Sequence, residues 1–135
     1  MKWTELKEKH SSELNSFPMF FAFSDKQFEE GKEKLGVTEN SELASIGGGG
    51  AIRKTDGHAL KKMFDAHRAE RETYFTDDRN LLDALVYELG NHEYCVTYDA
   101  QPAVESLELP SNDRTVKLIN KAIKTYNTQQ ELIEA

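Results

Sequence analysis

Asp77-Asp78-Arg79-Asn80-Leu81-Leu82-Asp83-Ala84-Leu85-Val86-Tyr87-Glu88-Leu89-Gly90 is the stretch that decides the fold. Leu81, Leu82, Leu85, Val86 and Leu89 recur at the spacing of one helix face. Asp77 or Asp78 can cap the start, and Gly90 with Asn91 supplies a stop. No other segment is so apolar, so this helix is expected at the centre of the core. After it, His92–Asp99 alternates and is rich in β-formers, which predicts a strand. Tyr94, Val96 and Tyr98 would share one face of it; Glu93, Cys95 and Thr97 would share the other. A short helix over 101–107 follows. A long helix from Ser111 to Ile133 has Val116, Ile119, Ile123, Tyr126 and Ile133 as its expected seam.

Upstream, residues 3–16 read as a charged helix with apolar positions at Trp3, Leu6 and Leu14. Pro18 stops it, and the aromatic run Phe17-Pro18-Met19-Phe20-Phe21-Ala22-Phe23 favours a short buried strand. Ser24 and Gln27 have capping-box spacing, opening a helix that ends near Leu35 with Gly36 as its stop. Residues 37–46 are irregular or a short helix. Gly47-Gly48-Gly49-Gly50 predicts a turn between two strands or a bulged strand. Thr55 or Asp56 can cap a helix over 57–75 whose stripe is Leu60, Met63, Phe64, His67 and Tyr74. The sum is a single α+β domain, with about five helices around a small, mainly antiparallel sheet of three or four strands.

The 135 residues are 38% hydrophobic, 10% aromatic and 30% charged, a composition with enough apolar material for a core. No apolar run is long enough to span a bilayer, and the first residues lack the apolar stretch of a signal peptide. The single cysteine, Cys95, excludes an intrachain disulfide and a multi-cysteine zinc site. Seventeen Lys and Arg against twenty-four Asp and Glu give a net charge of −7, which argues against direct nucleic-acid binding. The charge is uneven. Residues 77–113 hold nine acids, among them Asp77, Asp78, Asp83 and Glu88, and one base, Arg79. Residues 52–71 hold six bases and three acids. Opposed patches of this kind would attract a basic partner on one side and an anion on the other.

Four constellations could carry chemistry. Gly47, Gly48, Gly49 and Gly50 precede Arg53 and Lys54, a free backbone beside two cations, which suits a phosphate. The run matches neither dinucleotide-binding nor Walker loops. His92, Glu93 and Cys95 are potential ligands or nucleophiles, but strand alternation sets His92 apart from the other two, and no zinc-protease spacing exists. His67 lies on an apolar stripe and is the best acid–base candidate; a dyad with Cys95 is geometrically conceivable. The phenylalanines at 17–23 read as core, since no basic platform surrounds them. No cofactor or metal is implied.

Three motifs occur together: Phe20-Phe21-Ala22-Phe23 running into Gln27-Phe28-Glu29-Glu30-Gly31; Ser45-Ile46-Gly47-Gly48-Gly49 before Lys54-Thr55-Asp56; and Glu88-Leu89-Gly90-Asn91-His92-Glu93-Tyr94-Cys95. Over about residues 17–99 the chain resembles a family of small uncharacterised proteins carried by phages, prophages and conjugative elements of gut bacteria. The resemblance implies a cytoplasmic accessory protein of a mobile element and assigns no activity to any residue. Such accessory proteins often bind and block host factors.

These readings together favour a non-enzymatic binding protein, an inhibitor of a host defence protein acting through Asp77, Asp78, Asp83 and Glu88 on a basic groove. The alternative is a binder that sequesters a nucleotide through Gly47–Gly50, Arg53, Lys54 and His67, with the last helix offering a surface for homodimer pairing. A third reading is an enzyme using His67, His92, Glu93 and Cys95.

Overall fold

A computed structural model describes residues 1–134. The elements in chain order are α1 (Trp3–Asn15), β1 (Phe20–Phe21), α2 (Asp25–Leu35), β2 (Leu43–Gly47), β3 (Gly50–Arg53), α3 (Gly57–Tyr74), α4 (Asp78–Asn91), α5 (Tyr94–Thr97), α6 (Gln101–Ser106) and α7 (Asp113–Glu134). Single 3₁₀ turns at Asn40–Glu42 and Lys54–Asp56 precede β2 and α3. The class is α+β, with a small antiparallel sheet among helices, as the sequence predicts. Two compact units divide the chain: Lys7–Ala69, and Met1–Leu6 together with the chain from Glu70 onward. The boundary falls inside α1 and inside α3.

The Lys7–Ala69 unit is built on the sheet, ordered β1-β3-β2 with both pairings antiparallel. Four glycines in a row make the β2–β3 turn: Gly47, Gly48 and Gly49 have φ of 86°, 60° and 82°, a left-handed path that side chains resist. The register shifts between Ser45 and Gly47, a bulge at Ile46. β3 is the central strand; its Ala51 packs with Phe20, Leu35 and Val37 into the small core of this unit. The entry to α2 is capped as its spacing requires. The Gln27 N–H donates to Ser24 Oγ (3.2 Å), and Gln27 Oε1 accepts from the Phe23 N–H (2.7 Å). Gly36, with φ 69°, ends α2; its N–H donates to Glu33 O, and the Val37 N–H donates to Lys32 O.

The other unit is helical. Asp77 caps α4 by accepting from the Arg79 N–H at 2.8 Å. Leu81, Ala84, Leu85 and Leu89 are fully buried, so α4 is the centre of its unit as expected, packed against α6 and α7. Phe75, Ala103, Leu107, Leu118, Ala122 and Tyr126 close around it with Trp3 and Leu6. Arg114 at the start of α7 holds Asp78 at the start of α4 (2.7 Å), while Tyr126 sits against Gly90 at the other end, so the two helices run parallel.

Two sequence expectations are corrected here. His92–Asp99 is not a strand. The Tyr98 N–H donates to Tyr94 O (2.9 Å), and Tyr94–Thr97 forms a helical turn bracketed by left-handed residues, Glu93 (φ 57°) and Tyr98 (φ 55°). β-propensity reports fit to a pleated, half-buried surface, and all the strand pairing lies between residues 20 and 53. Tyr94 instead stacks edge-on against Tyr126 and Tyr98. The α7 seam is also rotated: Thr115, Leu118, Ala122 and Tyr126 face inward, while Val116 and Ile133 are exposed. Small, fully buried Ala84 and Ala122 lie on the two packed helices, which puts Ala122 rather than Ile123 on the contact line.

Gly31 tests the packing of the Lys7–Ala69 unit. A Cβ there would overlap the ring of Phe20. In an open helix Gly→Ala stabilises by up to about 1 kcal/mol. Gly31→Ala should instead destabilise by about 1–3 kcal/mol in urea unfolding, through overpacking. Adding Phe20→Leu, which shrinks the obstructing ring, should recover part of the loss.

Candidate functional site

The acidic residues do not form one equivalent set. Asp77 is the α4 cap and Asp78 is paired with Arg114; both remain on the surface. Asp83 is exposed on the outer side of α4, as are Glu93, Asp99 and Asp113 beyond it. Glu88 must be removed from the expected acidic surface, because it is 1% exposed. The Trp3 indole N–H donates to its Oε1 (2.9 Å), the Asn91 amide donates to its Oε2 (3.2 Å), and His92 Nε2 lies 3.3 Å from the same oxygen. Glu88 falls on the face of α4 that also carries the buried Leu81, Leu85 and Leu89.

The residues of the nucleotide-binding alternative are separately engaged. Arg53 donates through Nε to Asp56 (2.7 Å) and through Nη1 to the Leu35 carbonyl (3.4 Å), tying the end of β3 to the end of α2. His67 is buried in α3, stacked on His10 with ring centroids 4.0 Å apart, and its Nε2 lies 3.0 Å from Glu13 Oε2. Lys54 is exposed. Of the glycines, Gly47 and Gly48 are open to solvent, Gly49 lies against Ala22 O and Phe23, and Gly50 lies against Phe21 and Ile46. The Ala22 N–H donates to Gly49 O (3.0 Å), so the turn also serves as part of the sheet edge.

Of the residues of the enzymatic reading, Cys95 sits on α5 and is exposed. Interaction with the Cys95 side chain, with burial added, raises the Tyr126 pKa above its ordinary value. Tyr74 is likewise raised, first by burial and then by the negative charges of Asp83, Glu5 and Asp77. Among the described residues no three of His, Cys, Asp and Glu converge as a metal site would need.

A surface groove of about 440 Å³ lies between α4 and α7. From α4 it is lined by Asp83, Val86, Tyr87 and Gly90, with Asn91 at the helix end; Tyr126 and Gln129 line it from α7. Of these, the sequence marks Asp83 as a candidate site residue, and Val86, Gly90, Asn91 and Tyr126 only as parts of their helices. The rest become visible once α4 and α7 are known to pair in parallel, because neither helix alone marks the groove.

A family model described as a family of unknown function (DUF7659) matches residues 2–129, and the chain belongs to that family. No curated protein and no solved structure matches the chain. Among the described residues no helix is long and apolar enough to cross a membrane.

Two outcomes follow from these contacts. Glu88→Ala should cost about 3 kcal/mol in urea unfolding, because it strands the Trp3 N–H. A double-mutant cycle with Trp3→Phe should give a coupling of about 1.5–3 kcal/mol. In alkali, a phenol whose folded pKa is raised contributes stability below its unfolded value of 10.0, lost as pH climbs through the folded value. Melting temperature should therefore fall above about pH 10. Tyr126→Phe together with Tyr74→Phe should flatten that fall.

Proposed function

We propose that this member of a family of unknown function is a non-catalytic binding protein that engages a basic partner through its helical unit. The observation that carries this reading is the partition of charge. Met1–Leu6 and the chain from Glu70 onward hold seven Lys and Arg against fourteen Asp and Glu; Lys7–Ala69 holds ten against ten. The whole net charge of −7 therefore belongs to one unit, where like charges oppose compaction and a cationic surface would relieve them. Such a field speeds encounter with a partner of opposite sign and selects against acidic ones.

Within the mobile-element setting that the sequence resemblance suggests, the partner is a host defence protein with a Lys/Arg-lined nucleic-acid groove. Carboxylates would occupy the places of phosphates there, without the chain itself binding nucleic acid. This reading takes Asp83, Glu93 and Asp99 as the contact carboxylates, with Asp77 as the cap of α4 and Asp78 as its tie to Arg114 holding that helix in place. The nucleotide-sequestering alternative is weakened, since Arg53 and His67 are occupied by Asp56, Leu35 and Glu13.

The test uses purified defence nucleases of the bacterial host, CRISPR effectors first, assayed for DNA cleavage with and without the protein. Inhibition that weakens steeply with added salt is expected. A variant carrying Asp83→Asn, Glu93→Gln and Asp99→Asn should lose about tenfold or more of its inhibitory affinity while its melting temperature holds. Equal potency of that variant against a sensitive nuclease would remove the acidic-contact mechanism.

A further inference from the structure

We propose that the α4–α7 groove is the docking pocket for an arginine side chain carried on a basic segment of a partner protein. The inference rests on the reading of the helical unit as an acidic binding surface, and it names the place and the chemistry of contact.

The polar residues that line the groove are Asp83, Tyr87, Asn91, Tyr126 and Gln129, with no Lys, Arg or His among them. Asn91 directs an amide N–H at Glu88, and its carbonyl oxygen is an acceptor it can offer the groove. A carboxylate and amide oxygens suit a ligand that only donates, and a guanidinium is such a ligand, with five N–H groups and no acceptor. The apolar remainder, Val86 and the Tyr126 ring, suits the methylene stem of the same side chain. Aromatic walls favour a planar cation over an ammonium.

The end of α4 adds to this field. Gly90 and Asn91 lie in its last turn, where the negative end of the helix dipole sits and no basic residue neutralises it. An anionic ligand would meet Asp83 and that dipole end together. Gly90 leaves room at the groove: a Cβ there would lie 3.6 Å from the Tyr126 ring, in ordinary contact.

The test is fluorescence anisotropy with fluorescein-labelled nona-arginine and nona-lysine peptides on the full chain. Nona-arginine should bind the more tightly of the two. Asp83→Asn should weaken nona-arginine binding about tenfold, the loss of one charge-assisted contact. Gly90→Leu should weaken it at least as much while the melting temperature holds or rises, since leucine replaces glycine in a helix. Gly90→Ala serves as the milder version if Gly90→Leu unfolds, and Glu105→Gln, an exposed acid outside the groove, should change affinity little. Amide shifts on titration should centre on Val86, Gly90 and Gln129. Salt-sensitive binding indifferent to both Asp83→Asn and Gly90→Leu, or equal affinity for the two peptides, would overturn the arginine pocket and leave the acidic-unit reading standing. Failure to bind nona-arginine while nuclease inhibition persists would do the same; loss of both would sink the broader reading as well.

Discussion

The helical unit depends on one hydrogen bond, from the indole N–H of Trp3 to the carboxylate of Glu88 at 2.9 Å. A carboxylate that is 1% exposed is costly to bury, and it is tolerated only with its oxygens met. Trp3 meets one of them, and Asn91 and His92 approach the other. The first partner brings the beginning of α1 into a core otherwise made from the second half of the chain, where the indole also packs on Phe75 at 5.3 Å between ring centroids. The other two partners fix how α4 ends. With the Asn91 amide and the His92 ring drawn back toward Glu88, α4 stops, Glu93 turns left-handed and α5 begins.

The local signals were the legible part of this fold. Ser24 with Gln27, Gly36 and Asp77 each satisfy a helix-end group within a few residues, so their roles needed no tertiary knowledge. The glycine run read as a turn because three successive positive φ values suit only such residues. The apolar density of α4 placed it at the centre for the same reason. What failed depended on partners distant in sequence. Tyr94, Val96 and Tyr98 look like strand residues, but no strand edge in their own unit receives them, and Tyr94 finds Tyr126 instead. The seam of α7 turned by one residue because Ala122, which contributes little hydrophobicity to a periodicity argument, is the residue small enough for the packing line. Glu88 looked like one more acid in an acidic segment; only Trp3, 85 residues away, makes it a core residue.

The candidate site was less legible than the fold for a related reason. The sequence marks residue types, and a run of glycines beside two cations resembles a phosphate cradle until Arg53 is seen holding Asp56 and the end of α2. Asp83 was visible as a charge, while its neighbours Asn91 and Gln129 carry no formal charge and lie on different helices. A groove is a property of two surfaces in register, and register between helices separated by α5 and α6 is not written in either one.

The same wiring bears on how the chain matures as it is synthesised. Lys7–Ala69 is continuous, so its sheet and small core can assemble once that stretch has left the ribosome. Trp3 and Leu6 precede it in the chain, yet the leucines of α4 and the inner face of α7 that pack with them follow it. The first helical turns therefore wait, apolar side chains uncovered, until α4 and α7 have been made. The completion of the helical unit is in effect a report that translation has passed α7.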